Sequence, residues 1–151
     1  MLENWLDAVC KVFGSISNGS GGQVKSYRVF EQGEIPSALT EYPCAVTYVP
    51  EAEAEYTGGA LTSLIWSGET ELHVAAADDP ALLPDVMKYF SRVLLAVTAN
   101  RSLGGKVQYF LLPEGEKSIR MSKLQYGSGP YHYGLVVMWQ VKENVSLSLS
   151  G

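Results

Sequence analysis

The sequence predicts an α+β fold, a mostly antiparallel sheet with two helices packed on one face. Three observations predict it. Two stretches carry apolar residues at the three- and four-residue spacing of an amphipathic helix, and several others alternate between two faces as strands do. The elements also follow one another without the strict strand–helix alternation of a parallel sheet. The predicted order is helix, three strands, helix, strand, a shorter strand and a final strand.

A long amphipathic helix is predicted over residues 80–100, and the rest of the chain is organised around it. Asp78 and Asp79 can cap its start, and Pro80 suits the first helical position, where the missing N–H costs nothing. A shorter amphipathic helix is predicted over residues 2–13. The apolar residues of the long helix share one face, which predicts a helix laid on a sheet: Leu83, Val86, Met87, Phe90, Val93, Leu94 and Val97.

The strands are predicted from alternation and from flanking Pro and Gly residues. Residues 106–112 are apolar on both faces, which favours a central position in the sheet. Gly68 indicates a bulge or a close approach of other atoms to the backbone. The acidic residues 51–60 are expected to form an exposed strand edge or a mobile hairpin arm, with a turn at Gly58 and Gly59. The predicted strands cover residues 24–30, 44–49, 64–76, 106–112, 118–126 and 131–141.

Length and composition predict a single domain over residues 1–142 with a mobile, small and polar tail over residues 143–151. The net charge of -5 argues against a surface that grips nucleic acid, because such surfaces cluster Lys and Arg. The two cysteines, Cys10 and Cys44, are expected to be buried free thiols in a reducing compartment. An acidic N-terminus and the lack of a membrane-length apolar run predict a chain that folds in a cytoplasm, without a membrane partner.

A search for catalytic residues predicts no enzyme, no cofactor and no metal. Cys44 and His73 could supply a nucleophile and a base, but no nucleophile-elbow motif surrounds either cysteine. His73 and His132 are expected at the surface or in an interface, because no partner ligands accompany them. Gly104 and Gly105 follow a helix, whereas a phosphate-binding glycine loop precedes one.

The surface is better suited to assembly than to chemistry, since it combines an acidic arm, a mobile tail and many Tyr and Trp residues. Trp66 and Trp139 are expected in the core. Contacts with neighbouring subunits are expected from the loops 33–43, 51–60 and 113–117. The candidate interface residues are Glu34, Glu51, Glu53, Glu55, Tyr56, Glu114, Lys117, Tyr131 and His132.

Three runs of the sequence resemble the tail terminator proteins of long-tailed bacteriophages. They are TELHVAAADDPALLPDVM at residues 70–87, LGGKVQYF at 103–110 and GLVVMWQV at 134–141. That family has a strand, a helix with an acidic cap, a leucine-glycine-glycine turn into a strand, and a final strand. The order of elements matches over residues 24–142, whereas the acidic segment 51–55 matches nothing in the family pattern.

The resemblance implies a structural role in the virion, at the head-proximal end of the tail. Such proteins form a ring, usually a hexamer, that caps the tail tube, ends its polymerisation and docks the neck or head-completion proteins. DNA passes through the lumen without specific binding, and a negative net charge is compatible with that passage. Three alternatives stay open: another head–tail connector protein, a small enzyme using Cys44 or a carboxylate pair, and a monomeric binding module.

Overall fold

The described residues form an α+β fold, with one seven-stranded, mostly antiparallel sheet and two helices. The computed structural model describes residues 2–28, 39, 41–115 and 117–145. The candidate residue Glu34, most of the loop 33–43 and the tail residues 146–151 lie outside that range. The elements are α1 (Leu2–Gly14), β1 (Lys25–Arg28), β2 (Cys44–Thr47), β3 (Glu51–Thr57), β4 (Ala60–Ala76), α2 (Leu83–Thr98), β5 (Tyr109–Leu111), β6 (Ile119–Gln125) and β7 (Tyr131–Asn144).

The two longest strands, β4 and β7, form the centre of the sheet. They pair antiparallel from Ser63 opposite Asn144 to Ala76 opposite His132. On the free side of β4, β3 pairs with its first half and β2 with its second half. On the free side of β7, β6 pairs with its first half and β5 with its last residues. Strand β1 extends the sheet beyond β2 in the single parallel pairing among the described strands.

Both helices pack on the same face of this sheet, as predicted. Residues alternate along β4 and β7, so Leu72, Leu135, Val137 and Trp139 point to one face and enter a single core with the helices. Burying this apolar face is the main favourable contribution to folding. The core residues that the helices contribute are Trp5, Leu6, Val9, Val12 and Phe13 from α1, and Val86, Tyr89, Val93 and Val97 from α2.

Helix α2 starts later than predicted and buries a different set of residues. Residues 80–82 form a turn of 3-10 helix, and Asp79 alone caps it, accepting a hydrogen bond from the backbone N–H of Ala81 at 3.0 Å. Three residues of the predicted apolar face are exposed instead, because the helix is rotated so that the Tyr89 ring enters the core. They are Met87 (61%), Phe90 (40%) and Leu94 (39%).

The sheet also differs from prediction at its edges. The strand predicted over residues 106–112 is only three residues long, pairs with β7 alone among the described strands and is therefore not central. Strand β7 continues to Asn144, three residues past the predicted end and into the predicted tail.

The ladder runs without a break at Gly68. That glycine leaves room for Trp139, because a Cβ there would lie 2.2 Å from the indole ring. Trp139 is buried, and Trp66 packs against the core, as predicted.

Candidate assembly interface

The hairpin of β3 and the first half of β4 forms the arm that the acidic pattern predicts. Gly58 and Gly59 make its turn with φ angles of 59° and 83°, which favour glycine. Most residues of β3 are exposed, and Tyr56 is 66% exposed. One edge of β3 pairs with β4, and the other has no partner among the described strands. We call this hairpin, residues 51–67, the acidic arm.

The two faces of β3 differ in chemistry. Ala52 and Ala54 pair with Trp66 and Leu64 in the ladder. Trp66 contacts Trp5 of α1 with ring centroids 5.6 Å apart, so the alanines lie on the helix side of the sheet. The three glutamates of the strand, Glu51, Glu53 and Glu55, lie on the opposite side because side chains alternate along a strand.

Glu55 is held in place, whereas Glu51 and Glu53 make no contact with a cation among the described residues. The Glu55 carboxylate accepts a hydrogen bond from the Ser63 hydroxyl at 2.6 Å and lies 3.2 Å from the Lys142 ammonium. The hydrogen bond from Ser63, followed by the interaction with Lys142, lowers the pKa of Glu55. The arm therefore presents two free carboxylates, those of Glu51 and Glu53.

Three of the large apolar residues exposed on α2, Met87, Phe90 and Leu94, lie on the side of the helix next to β5 and β6. The opposite side faces the loop after α1, where Tyr89 donates to the Asn18 carbonyl at 3.2 Å and Arg92 donates to the Ser17 carbonyl at 3.1 Å. Leu83, which shares the exposed side, lines a groove with Met121 and Lys123 of β6. We call Leu83, Met87, Phe90 and Leu94 the α2 stripe.

The remaining predicted surface residues lie at separate places. Glu114 is exposed and lines a second shallow groove with Val97 and Phe110, between α2 and β5. Lys117 is exposed at the start of β6, and Tyr131 is 54% exposed at the start of β7. The fold therefore does not gather these residues with the acidic arm into one patch.

His73 and His132 are buried, so the expectation that they lie at the surface is wrong. They are 0% and 5% exposed, on the face of the sheet away from the helices. Their Nδ1 atoms lie 3.3 Å apart, and His73 Nε2 lies 3.2 Å from a Glu71 carboxylate oxygen. The Tyr48 hydroxyl donates to the same oxygen at 3.4 Å, and the Tyr42 ring lies against His132, with 4.4 Å between centroids. Burial, and then charge on His73, lower the pKa of His132.

Cys44 and His73 are direct partners in the ladder between β2 and β4, yet their setting does not suit catalysis. Both side chains are fully buried, and the His73 ring is occupied by Glu71 and His132. Burial raises the pKa of Cys44 to about 12, so its reactive thiolate is scarce at neutral pH. Cys10 is also a buried free thiol, as predicted, with its pKa raised by burial to about 11.

Sequence reasoning missed Glu143, which it placed in the mobile tail. Its side chain is almost buried on the helix side, where one carboxylate oxygen accepts hydrogen bonds from the Trp5 and Trp66 indole N–H groups at 3.3 and 3.0 Å. The alternation of β7 continued by two residues would have placed Glu143 beside Val141 and Trp139, on the core side. Glu143 therefore joins α1, β4 and β7 in one polar contact.

Within the described ranges, no three His, Cys, Asp or Glu side chains lie close enough together to hold a metal ion. The described helices include none long and apolar enough to cross a membrane. No protein-family model matches the chain, and no curated protein matches it either.

Proposed function

We propose that this chain is a structural protein of a bacteriophage virion, of the tail-terminator kind. Copies of it form a ring, most simply a hexamer, on the last ring of the tail tube. The ring ends tube polymerisation and offers its other face to the neck or head-completion proteins, and DNA passes through its lumen. Two sets of observations support the proposal: the resemblance of residues 70–112 and 134–141, and the acidic arm.

The acidic arm is the observation that carries the proposal. An exposed strand with an open edge is a site for pairing with another chain, and soluble proteins usually shorten, cover or protect such edges. Here a seven-residue edge strand projects beside the central pair, with Tyr56 exposed and Glu51 and Glu53 unneutralised. A subunit whose sheet is extended by a strand of a neighbouring subunit would have such an open edge.

The setting of the reactive side chains also supports a structural role. Cys44 and His73 lie side by side, but both side chains are buried in the sheet. Cys44 is protonated because burial raises its pKa to about 12. The His73 ring already contacts Glu71 and His132. The grooves beside α2 are shallow and lined by apolar and surface residues rather than by converging polar groups. These observations favour contact surfaces over a reaction site.

The experiment that tests the function is an addition assay read by electron microscopy. The purified chain is mixed with the polymerising tail-tube protein of the same phage, and tube lengths and tube ends are examined. We expect shortened tubes with a distinct ring at one end. A variant with the arm turn lengthened by four glycines after Gly59 should keep the fold and cap less well.

Tubes of unchanged length with bare ends would contradict the terminator role. Binding of the same protein to purified portal or neck complexes would then indicate another head–tail connector. An excess of bovine serum albumin in place of the chain controls for crowding effects on tube length.

A further inference from the structure

The sheet has two open edges that differ in charge, and they lie on opposite sides of the central pair. Strand β3 pairs only with β4 among the described strands and carries Glu51 and Glu53. Strand β6 pairs only with β7 among them and carries Arg120 and Lys123. All four of these side chains are exposed, and none forms an ion pair with another described residue.

The side chains of β6 alternate between the two faces of the sheet. Arg120 pairs with Val136, which points away from the helices, so the guanidinium lies on the same face of the sheet as the glutamates of β3. Met121 pairs with Leu135, a core residue on the helix side, and is 41% exposed. Lys123 pairs with Tyr133, which packs against the core, so its side chain lies on the helix side with Met121. Strand β6 therefore carries Arg120 on the face of the glutamates, and Met121 and Lys123 on the helix side.

The α2 stripe lies beside this same edge. Leu83 lines a groove with Met121, and Met87, Phe90 and Leu94 follow along the same side of the helix. An added strand next to β6 with small apolar side chains on the helix side would cover both Met121 and the stripe. Ala52 and Ala54 of β3 are small, apolar and on the helix side.

Strand directions allow this pairing in a ring. Strand β3 runs antiparallel to β4, and β4 runs antiparallel to β7, which runs antiparallel to β6. Strands β3 and β6 therefore point in opposite directions, and subunits related by rotation about an axis along the strands would pair them antiparallel.

We propose that the β3 edge of one copy pairs with the β6 edge of the next copy, so that the sheets join head to tail around the ring. Glu51 and Glu53 then lie beside Arg120, and Ala52 and Ala54 lie under the α2 stripe. The choice of a second copy as the occupant rests on the proposed ring. The two edges lie at opposite ends of the central pair, so joined copies are staggered and the strands tilt from the ring axis, as in closed barrels.

The first test is site-specific cross-linking with a short bismaleimide. Glu53→Cys places a thiol on β3, and Ser122→Cys places one on β6, while native Cys10 and Cys44 are buried. We expect a ladder of covalent oligomers when one chain carries both substitutions. A mixture of the two single variants should give dimers only, and each single variant alone should give none.

The second test reverses charge on each edge and then on both. In the chain that carries both cysteines, Glu51→Lys or Arg120→Glu should abolish the cross-linked product because like charges then face each other. The two substitutions in one chain should restore it. Asp85→Lys makes the same change in net charge as Glu51→Lys at an exposed position of α2 away from both edges and should leave the ladder intact.

The third test separates the α2 stripe from exposed apolar residues in general. Met87→Lys should abolish the cross-linked product, whereas Leu95→Lys should not, because Leu95 lies two residues from both Val93 and Val97 and faces away from the sheet. The two side chains are 61% and 71% exposed, so both variants should keep the fold of the single chain. Circular dichroism checks that fold.

Each reaction is run on the free protein at high concentration and on rings bound to tail tubes. Products from single-site variants, equal effects of Met87→Lys and Leu95→Lys, or no β3–β6 product in either setting would overturn the edge pairing. Capped tubes without the β3–β6 product would overturn only this pairing. A full ladder without capping would count against the terminator role and leave the pairing in place.

Discussion

Gly68 is a residue whose role comes entirely from the side chain opposite it. It faces Trp139 in the ladder, and the indole occupies the space of a Cβ, which would come within 2.2 Å of a ring carbon. The Trp139 indole N–H donates to the Thr70 hydroxyl at 3.1 Å, and this bond holds the ring over the glycine. The ring therefore cannot move aside without losing a buried hydrogen bond.

We predict that Gly68→Ala lowers the free energy of unfolding by about 3 kcal/mol, the upper part of the range for overpacked cores. Denaturation in urea, followed by Trp fluorescence, measures the change. Ser67→Ala, at the exposed neighbouring position, is the control and should change the stability by less than about 0.5 kcal/mol. Equal stability of Gly68→Ala and wild type would mean that the indole does not occupy this position.

His132 makes stability depend on pH. Burial and the neighbouring His73 lower its pKa from the ordinary value of 6.5, so the folded chain holds this imidazole neutral. Below pH 6.5 the unfolded chain takes up a proton that the folded chain does not. Stability from this residue is therefore present above that pH and is lost as the pH falls.

We predict that the wild-type free energy of unfolding falls between pH 7 and pH 5, with a slope from this residue of at most about 1.4 kcal/mol per pH unit. His132→Gln keeps a side chain that can bond to His73 but does not titrate, so its slope should be smaller. Urea denaturation at a series of pH values measures both slopes. Parallel curves for the two proteins would contradict the assignment.

Helix α2 shows that apolar spacing leaves the orientation of a helix open. Its apolar residues span an arc wider than the face that the sheet covers. The structure buries Val86, Tyr89, Val93 and Val97 and leaves the α2 stripe beside the β6 edge. The tyrosine was not in the predicted face, and its hydroxyl reaches the Asn18 carbonyl at 3.2 Å, which fixes the rotation of the helix.

We predict that Val93→Ala destabilises the chain by about 2 kcal/mol through lost burial and a residual cavity. Leu95→Ala removes a larger side chain but one that is 71% exposed, so it should cost less than about 0.5 kcal/mol. Thermal and urea unfolding of the two variants measure the difference. A larger loss in Leu95→Ala would place the buried face of α2 elsewhere.

Strand β3 illustrates the opposite case, an element whose sequence predicts its surroundings well. Alternating Glu and Ala cannot supply a core strand, and the Gly58–Gly59 pair supplies the turn that returns the chain into β4. The predicted exposed strand edge is confirmed. What the pattern did not contain is the complementary edge at β6, which is on the far side of β7 and contributed by residues over 60 positions later in the chain.

The net charge of -5 bears on how DNA would meet the proposed ring. Two of the acidic residues that remain unneutralised lie on the acidic arm, and the chain has 16 acidic against 11 basic residues. Nucleic-acid binding depends on clustered Lys and Arg side chains that neutralise phosphates and release their counterions. An excess of acidic residues does not favour such binding. A lumen lined by such subunits would let a duplex slide.

We predict that the purified chain does not bind duplex DNA even at low ionic strength, where electrostatic attraction is strongest. Fluorescence anisotropy of a labelled random duplex, titrated with the protein in about 20 mM salt, measures this. Titration with lysozyme, a protein of high positive charge, serves as the positive control. Tight binding that weakens with added salt would contradict a lumen that only passes DNA.

The kinds of elements, the α+β class, the hairpin turn and the cap at Asp79 can be predicted from the sequence, because each depends on residues close together in the chain. Long-range packing sets which face of α2 is buried, makes β5 an edge strand, and places Glu143 under two indoles. The pairing of β4 with β7 also brings together His73 and His132, which are 59 positions apart in the sequence. These outcomes depend on which distant strand arrives beside a residue, and the local pattern of side chains does not contain that information.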